Sequence, residues 1–473
     1  MARNVLIIMS DEHSRKVVGC YDNRKVHTPR IDALAAGGTR FANAYCNSPI
    51  CVPSRASFHT GYYPHQIRYW DNATPYDGRV PSWGHALRDA GLLVTSIGKL
   101  HFANAECDTG FETQLLPLHV KDGVGDISSL LRKDPMERPG SKKLPDMVGQ
   151  EVTPYWNYDR QVADAAVDWL DNARPDGPWV TMISFALPHF PLSAPARFRE
   201  MYDRDKLPLP KAGSDYVPEN RSLADMRALM NYQDYFENEA HILEALAHYY
   251  ALCSALDENI GRVLNALAAS TAAEDTSVIY ISDHGDNLGA RGFWAKSTLW
   301  EESVGVPLVV AGPGIPAGRV CDTPVSLVDL YPTILDLAGL SDQEVLGPPR
   351  PGISLLDILH AGDLRRAVFA EYHAVGSKTA SYMLRSDNFK LIEYVDDAPL
   401  LYDVGEDPEE MTNLAKTPAY SLVLEELRAK LRTILDPEKT NTVAFADQAR
   451  RVSELGGEAA IRKMTPVTFT EPG

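Results

Sequence analysis

The chain has 473 residues, of which 44 % are apolar and 23 % charged, and these proportions are typical of a globular protein. They exclude a disordered or collagenous chain. The 64 acidic residues outnumber the 46 basic ones, which gives a net charge of −18. Such a surface repels a phosphate backbone and argues against nucleic-acid binding, although a local cluster of Lys, Arg and His can still bind a small anion.

Signals for secretion or membrane insertion are missing from the sequence. The apolar run at residues 5–9 is too short for a signal peptide, and no segment reaches the ~18 apolar residues of a transmembrane helix. The six cysteines show neither paired metal-site spacing nor a disulfide framework. We therefore expect a cytoplasmic protein with reduced thiols and no membrane partner.

The first 365 residues have the pattern of an α/β domain. Short apolar runs predict buried strands at 4–9, 92–97, 179–185, 277–281 and 307–311. Thr28 followed by Pro29 marks the start of a helix, and residues 240–268 repeat apolar side chains at helical spacing. Strands that alternate with helices predict a mostly parallel sheet with helices on both faces.

The pattern changes after residue 365. Short strands predicted at 367–371, 381–385, 389–394 and 400–402, with a helix at 421–435, indicate a small antiparallel α+β subdomain over 366–435. The polar segment 436–473 predicts an extended arm with one short helix before Gly456. Segments 104–150 and 201–236, rich in charge, Pro and Gly, predict long surface loops.

Acidic residues follow two of the predicted strands. Asp11 comes directly after the first strand, and Asp283 and His284 come after the strand at 277–281. Ligands bind at the carboxyl ends of the strands in such sheets, where two carboxylates and an imidazole can hold one divalent cation. A lone Asp there is more often a helix cap or turn residue, but two strand-end acids favour a metal site.

The densest polar feature is the segment at residues 51–61. Pro53 and Ser54 favour the start of a helix, which places Cys51 at its positive end, where a developing anion is stabilised, and Arg55 one turn on. From the residues alone, a buried structural cysteine beside a capped helix is equally consistent.

Further polar residues lie in apolar surroundings. Lys99 and His101 follow the strand at 92–97, and His189 follows the strand at 179–185. Taken singly, His189 fits a core or loop histidine and Lys296 a solvated charge. Lys99, His101 and His189, however, all lie just past the ends of strands. This position brings them to the edge of the sheet that holds the candidate metal ligands.

These residues together resemble the type I sulfatases of the alkaline phosphatase superfamily. The similarity covers essentially the whole chain and rests on Cys51-x-Pro53-Ser54-Arg55 with Thr60-Gly61, Gly98-Lys99-x-His101, Pro188-His189-x-Pro191, Asp283-His284-Gly285, Lys296 and Asp407-Pro408-x-Glu410, in the family's order. Within the family, the segment at 69–72 and His284 look closest to the choline-sulfatase-like and phosphonate monoester hydrolase branch. The resemblance implies an alkaline-phosphatase-like fold and a catalytic domain over 1–365.

The resemblance also implies a modified cysteine and a metal. A maturation enzyme would oxidise Cys51 to formylglycine, whose hydrate carries two hydroxyls, one to attack sulfur or phosphorus and one to expel the bound group afterwards. Asp11, Asp283, His284 and the modified Cys51 would bind the cation. Glu12 stands where many sulfatases have a second Asp, which leaves its ligation open, and the nitrogen of His284 admits Mn²⁺ as well as Ca²⁺.

The remaining roles follow from the same resemblance. Arg55 and Lys99 would position the nucleophile and offset its charge, and His101 would move a proton of the diol. His189 and Lys296 would bind the sulfate and protonate the leaving oxygen.

The substrate is predicted only by class. Asn72 would donate to a sulfate oxygen. An aromatic cage for a choline ammonium is not evident, because Phe111 is the one aromatic residue at 103–140. We expect hydrolysis of aryl or small alkyl sulfates through a covalent sulfo-enzyme, with side activity on phosphonate monoesters and phosphodiesters, since all three carry one negative charge.

Three alternatives remain open at this point: a phosphorus ester as the main substrate, a non-catalytic protein that binds sulfate esters, and a metal-free cysteine hydrolase. The expected partners are the small ester, the maturation enzyme and further copies of the chain. A dimer or tetramer is expected through the arm, with Val443, Phe445, Val452 and Leu455 as anchors.

Overall fold

The computed structural model describes residues 4–136, 138, 140–175, 177–341, 345, 347–362, 364–464 and 470–472. Its strands are β1 Asn4–Asp11, β2 Gly38–Phe41, β3 Ala44–Tyr45, β4 Leu93–Lys99, β5 Thr113–Leu118, β6 Trp179–Pro188, β7 Thr276–Ser282, β8 Leu308–Ala311, β9 Arg319–Cys321, β10 Val325–Ser326, β11 Ala367–Tyr372, β12 Ser381–Ser386, β13 Phe389–Tyr394 and β14 Leu400–Asp403. Its α-helices are α1 Pro29–Ala36, α2 Cys51–Thr60, α3 Pro64–Ile67, α4 Trp83–Asp89, α5 Gly140–Asp146, α6 Pro154–Asp168, α7 Ala196–Arg199, α8 Arg221–Leu229, α9 Glu239–Ala269, α10 Glu301–Val304, α11 Leu330–Ala338, α12 Leu355–Ala361, α13 Ser421–Ile434, α14 Pro437–Glu454 and α15 Glu458–Ile461.

The large sheet has the strand order β5-β4-β6-β1-β7-β8-β2-β9. Strands β5, β4, β6, β1 and β7 are parallel, which brings their carboxyl ends to one edge. The predicted strand at 307–311 is present as β8, but it runs antiparallel to β7 and β2. Every residue of β1 and β6 is buried, as expected for strands covered on both faces. The prediction of a mostly parallel sheet is confirmed.

Helices cover the sheet in two groups. Helices α6 and α9 pack against each other and against β6, whereas α4 and α11 pack against each other and against β4 and β1 respectively. Helix α9 extends over 31 residues because its apolar side chains repeat at helical spacing. Among the described residues, no helix combines the length and apolar character needed to cross a membrane.

The C-terminal subdomain is a four-stranded antiparallel sheet in the order β11-β12-β13-β14. Helix α13 packs on it through Leu424, Leu427 and Leu431, which join a separate apolar cluster with Phe369 and Tyr382. The small antiparallel α+β unit that the sequence predicts is confirmed.

Two of the predicted irregular segments contain regular structure. Segment 104–150 includes the edge strand β5 and the helix α5, and segment 201–236 includes the helix α8. Strand β5 is short and contains a proline, and helices α5 and α8 are short and charged, so their local patterns do not differ from those of loops.

The segment 436–473 is not an extended arm where the structure describes it. It begins with α14, an 18-residue helix whose Asp436 side chain caps Lys439 N and whose first residue is Pro437. The prediction failed because the buried face of this helix is polar, with Asp447 and Gln448 among its buried residues, so that the apolar pattern of a core helix is missing.

Three of the four proposed anchors of the arm, Phe445, Val452 and Leu455, contact their own chain. Val452 and Leu455 pack beside Ile461 and Ala73, and the ring of Phe445 lies beneath the side chains of Arg132 and Lys133. An oligomer formed through this segment stays a prediction.

Helix α13 allows a direct test of the subdomain core. Leu431 is 1 % exposed and Leu422, on the same helix, is 78 % exposed. We expect Leu431→Ala to lower the free energy of unfolding by about 3 kcal/mol, because it leaves a cavity, and Leu422→Ala to change it by less than about 0.5 kcal/mol. Urea unfolding followed by tryptophan fluorescence measures both. Equal losses would contradict the observed face of α13.

Candidate active site

Cys51 begins helix α2 at the edge of the sheet where the parallel strands end. Ile50, the residue before Cys51, has no side chain that can cap the helix. The cap comes instead from Asn72 in another loop, whose Oδ1 accepts a hydrogen bond from Val52 N at 3.0 Å. All ten residues of α2 are buried. The side chain of Cys51 therefore lies at a buried, positively polarised helix end.

Four side chains converge on one point beside this helix end. The ligand atoms of Asp11, Cys51, Asp283 and His284 all lie within 4.8 Å of one another, and all four residues are buried. Cys51 Sγ is 3.2 Å from His284 Nε2 and 3.8 Å from Asp11 Oδ1. Nδ1 of His284 lies 3.0 Å from Gly285 O, so that its proton bonds there and leaves the Nε2 lone pair facing the cluster.

Arg55 holds both carboxylates of this cluster. Its Nε donates to Asp283 Oδ2 at 2.8 Å and its Nη2 to Asp11 Oδ2 at 3.1 Å. Its Nη1 also donates to Lys99 O and to Ser184 Oγ, at 2.8 and 3.0 Å. Because Arg55 contacts the Oδ2 atoms, the Oδ1 atoms of both aspartates remain directed at the cluster. This donor set fits a hard divalent cation that accepts one nitrogen ligand.

Lys99 adds a second positive charge to the cluster. Its Nζ is 2.7 Å from Asp11 Oδ2. Burial alone would raise the pKa of Asp11, but the positive charges of Lys99 and Arg55 hold that pKa well below its usual range. Asp11 is therefore ionised and available as a ligand.

A second group faces Cys51 across the cleft. Lys296 Nζ lies 2.6 Å from His189 Nε2 and 2.9 Å from Glu12 Oε2, and the latter is 3.2 Å from His189 Nε2. His189 Nδ1 lies 2.7 Å from Phe190 O and donates to it, so Nε2 accepts from the Lys296 ammonium. Burial holds the pKa of His189 well below its ordinary value, which keeps the ring neutral.

Glu12 is a site residue whose place the sequence left open. Its Oε2 accepts from Lys296 Nζ, and its carboxyl group lies with Asp11 and His189 instead of with Cys51, Asp283 and His284. Burial raises the pKa of Glu12 to about 8.

The structure brings the predicted site residues together at one edge of the sheet: Asp11, Cys51, Arg55, Asn72, Lys99, His101, His189, Asp283, His284 and Lys296. His101 lines the cleft beside Cys51, and neither of its ring nitrogens has a hydrogen-bond partner among the described residues. Burial lowers the pKa of His101 well below its ordinary value, so its ring is neutral.

Six residues that the sequence did not identify also line the cleft, whose enclosed volume is about 60 Å³. They are Asp126, Arg138, Tyr155, Phe190, Met230 and Tyr232. No local pattern identifies them, because they come from separate segments that only the fold brings together. Phe111, the aromatic residue that the sequence offered here, packs instead against His59 and Trp83.

The unmodified thiol is poorly suited to direct nucleophilic attack. Burial, followed by the charge of Asp11, raises the pKa of the Cys51 thiol to about 12. A neutral thiol at pH 7 is a weak nucleophile, which argues against a metal-free cysteine hydrolase.

Comparison with known families identifies the chain. The sulfatase family profile matches residues 3–340. The chain belongs to the sulfatase family. A second profile, the C-terminal region of N-sulphoglucosamine sulphohydrolase, matches residues 289–436. The chain is thus a type I sulfatase of the alkaline phosphatase superfamily and a sulfuric ester hydrolase, as the resemblance in its sequence implied.

Individual relatives cover most of the chain. A choline-sulfatase of Rhizobium meliloti is 33 % identical over 88 % of this chain and 83 % of its own length, and arylsulfatase K of Mus musculus is 31 % identical over 93 % and 80 %. The solved phosphonate monoester hydrolase of Agrobacterium radiobacter superposes with a TM-score of 0.73 at 25 % identity, over 91 % of this chain and 95 % of that one. Sulfatases generally use a metal ion and a formylglycine.

The cluster can be tested by metal binding alone. We expect Asp283→Asn to weaken binding of Mn²⁺ or Ca²⁺ about 100-fold or more, because it removes a charged donor. Isothermal titration of metal-depleted protein measures this. Asp257→Asn is the matched control, since that buried carboxylate accepts from Arg30 N and Ile31 N, away from the cleft. Unchanged affinity in both variants would show that the cation binds elsewhere.

Proposed function

We propose that the protein hydrolyses sulfate monoesters of aryl or small alkyl alcohols, with residue 51, oxidised from cysteine to formylglycine, as the nucleophile. One observation supports this most strongly. The side chain of residue 51 lies within a buried acid–histidine cluster on one side of the cleft, and the Lys296–His189 pair lies on the other. A sulfate ester between them would have its sulfur next to the nucleophile and its leaving oxygen next to a proton donor.

Asp11, Asp283, His284 and residue 51 would hold the cation. When bound, Ca²⁺ or Mn²⁺ acts as a Lewis acid that favours the ionised nucleophile and offsets sulfate charge. Arg55 keeps the two aspartates in place for that role, because it binds their outer oxygens.

The sulfate group would be bound by the positive side chains and by Asn72. The Oδ1 atom of Asn72 is occupied by Val52 N, which leaves its Nδ2 donors for a sulfate oxygen. Lys99 and Lys296 supply charge from either side of the cleft. These donors are held before the substrate arrives, so they stabilise charge that develops on the sulfuryl oxygens without reorganisation.

The reaction would proceed in two steps. In the first, one hydroxyl of the hydrated aldehyde at residue 51 gives its proton to solvent and its oxygen attacks sulfur. The sulfur–oxygen bond to the alcohol breaks, and the proton shared by Lys296 and His189 passes to the leaving oxygen. In the second, His101 accepts the proton of the remaining hydroxyl. The carbon–oxygen bond to the sulfate then breaks, sulfate leaves, and the aldehyde is restored.

A phosphorus ester is the second candidate substrate, because the chain is similar to a phosphonate monoester hydrolase over nearly its whole length. Sulfate monoesters and phosphonate monoesters both carry one negative charge, so the same lysines suit both. Values of kcat/KM for 4-nitrophenyl sulfate and 4-nitrophenyl phenylphosphonate, which share a leaving group, compare the two. A clear preference for the phosphonate would replace the sulfate assignment.

The modification of residue 51 has a mass signature. Protein produced with the maturation enzyme should be lighter than its sequence, because sulfur and two hydrogens leave and one oxygen enters, and the loss should map to the peptide that contains Cys51. Cys46, a second buried thiol near the cleft, should stay unmodified. We expect Cys51→Ala to abolish hydrolysis of 4-nitrophenyl sulfate, and Cys51→Ser to stall as an ester that lacks the second hydroxyl. Full activity with an intact thiol would disprove the mechanism.

The role of His189 depends on the leaving group. We expect His189→Ala to lower kcat/KM about 100-fold or more for alkyl sulfates, whose alkoxide needs a proton, and less than about 10-fold for 4-nitrophenyl sulfate, which leaves unprotonated. His27→Ala, which alters an exposed histidine, is the control. Equal losses on both substrates would assign His189 to binding instead of proton transfer.

A further inference from the structure

We propose that helix α14 positions the sulfate-binding residue Asn72, and that Gln448 is the positioning residue that transmits this effect. The inference rests on the proposed role of Asn72. It gives the C-terminal segment a function within its own active site, in place of a role only in contacts between subunits.

Gln448 is a buried, fully bonded side chain. It is 2 % exposed, and its Nε2 donates to Asp71 Oδ2 at 2.7 Å and to His373 O at 2.9 Å. Its Oε1 accepts from Arg132 Nη1 at 3.2 Å. An amide with every hydrogen-bonding group engaged fixes its partners in one geometry, because any shift leaves a buried polar group unpaired.

Helix α14 also holds the residues on either side of Asp71. Trp70 Nε1 donates to Asp447 Oδ2 at 2.9 Å, and Arg451 Nε donates to Ala73 O at 3.2 Å. One face of the helix therefore binds three of the four residues at 70–73. The fourth, Asn72, faces the cleft and bonds to Val52 N instead of to the helix in the described part of the chain.

Asn72 couples the position of the loop at 70–73 to the position of the nucleophile. Its Oδ1 caps helix α2 at Val52 N, the residue next to Cys51, so the loop and the helix end move together. Gly125 packs directly on the backbone of Asn72, where a Cβ atom would come within 2.0 Å of its carbonyl oxygen. The loop is thus held from behind by α14 and Gly125, and a displacement of about 1 Å in a positioned donor can lower a rate about 100-fold.

A double-mutant cycle separates positioning from general stability. We expect Asn72→Ala to lower kcat/KM for 4-nitrophenyl sulfate about 100-fold, and Gln448→Met, which keeps the volume but removes the donors, to lower it about 10-fold. If Gln448 acts through Asn72, adding Gln448→Met to Asn72→Ala should lower kcat/KM less than about 2-fold further. Gln448→Glu, which places a second carboxylate against Asp71, should show the same dependence on Asn72.

Asn441→Ala is the matched control on the same helix. Asn441 Oδ1 accepts from Ala380 N in the C-terminal subdomain, so this variant loses a bond of α14 without touching the loop at 70–73. It should leave kcat/KM within about 2-fold of the parent. Losses from Gln448→Met that multiply with those from Asn72→Ala would overturn the proposal while leaving the sulfatase mechanism intact.

Hydrogen exchange supplies a readout that does not depend on activity. Gln448→Met should speed exchange in the peptide that contains the Val52 amide, because its acceptor Asn72 is no longer held, and Asn441→Ala should not. If the protein hydrolysed no sulfate ester, the proposed function would fail. The exchange rates of Gln448→Met and Asn441→Ala at Val52 would then decide on their own whether Gln448 positions Asn72. Unchanged exchange at Val52 in Gln448→Met would overturn it.

Discussion

A single buried guanidinium organises this active site. Arg55, carried by α2, bonds to the ends of four neighbouring parallel strands: Asp11 of β1, the Asp283 that follows β7, the carbonyl of Lys99 in β4, and Ser184 in β6. Two carboxylates buried this deeply would be strongly destabilising without a paired charge. Arg55 therefore couples the packing of the sheet to the direction in which both aspartates point. The placement of Cys51 and of the candidate cation site depends on this contact.

The sequence predicts the parts of this arrangement that depend on local pattern. Apolar runs identify the central strands, and the polar residues just beyond them, such as Asp11, Lys99 and His189, fall at the correct edge because parallel strands share it. Their individual roles required the resemblance to a family, since a lone His or Cys fits a structural role equally well. The antiparallel direction of β8 could not be read, because strand direction depends on long-range connections.

The rest depends on contacts between distant segments. Glu12 is one methylene longer than Asp, and only the positions of Lys296 and His189 show where its carboxylate goes. The sequence of helix α14 lacks the apolar pattern of a core helix because its buried face includes Asp447 and Gln448, which bond to polar partners. Tyr155 and Tyr232 both line the cleft, but they come from separate segments that share no sequence pattern.

The burial of Cys51 would set a time limit on the oxidation that is proposed for it. Its side chain is 1 % exposed at the start of a helix that is buried throughout, so a second enzyme cannot reach it once the domain has closed. Gln448 is synthesised about 400 residues later, which at ribosomal rates is on the order of half a minute. Under the proposed mechanism, oxidation of Cys51 would therefore compete with folding, and any molecule that folds first would keep an inactive thiol. The specific activity of a preparation would then depend on the ratio of the oxidation rate to the folding rate as well as on the kcat of the modified enzyme.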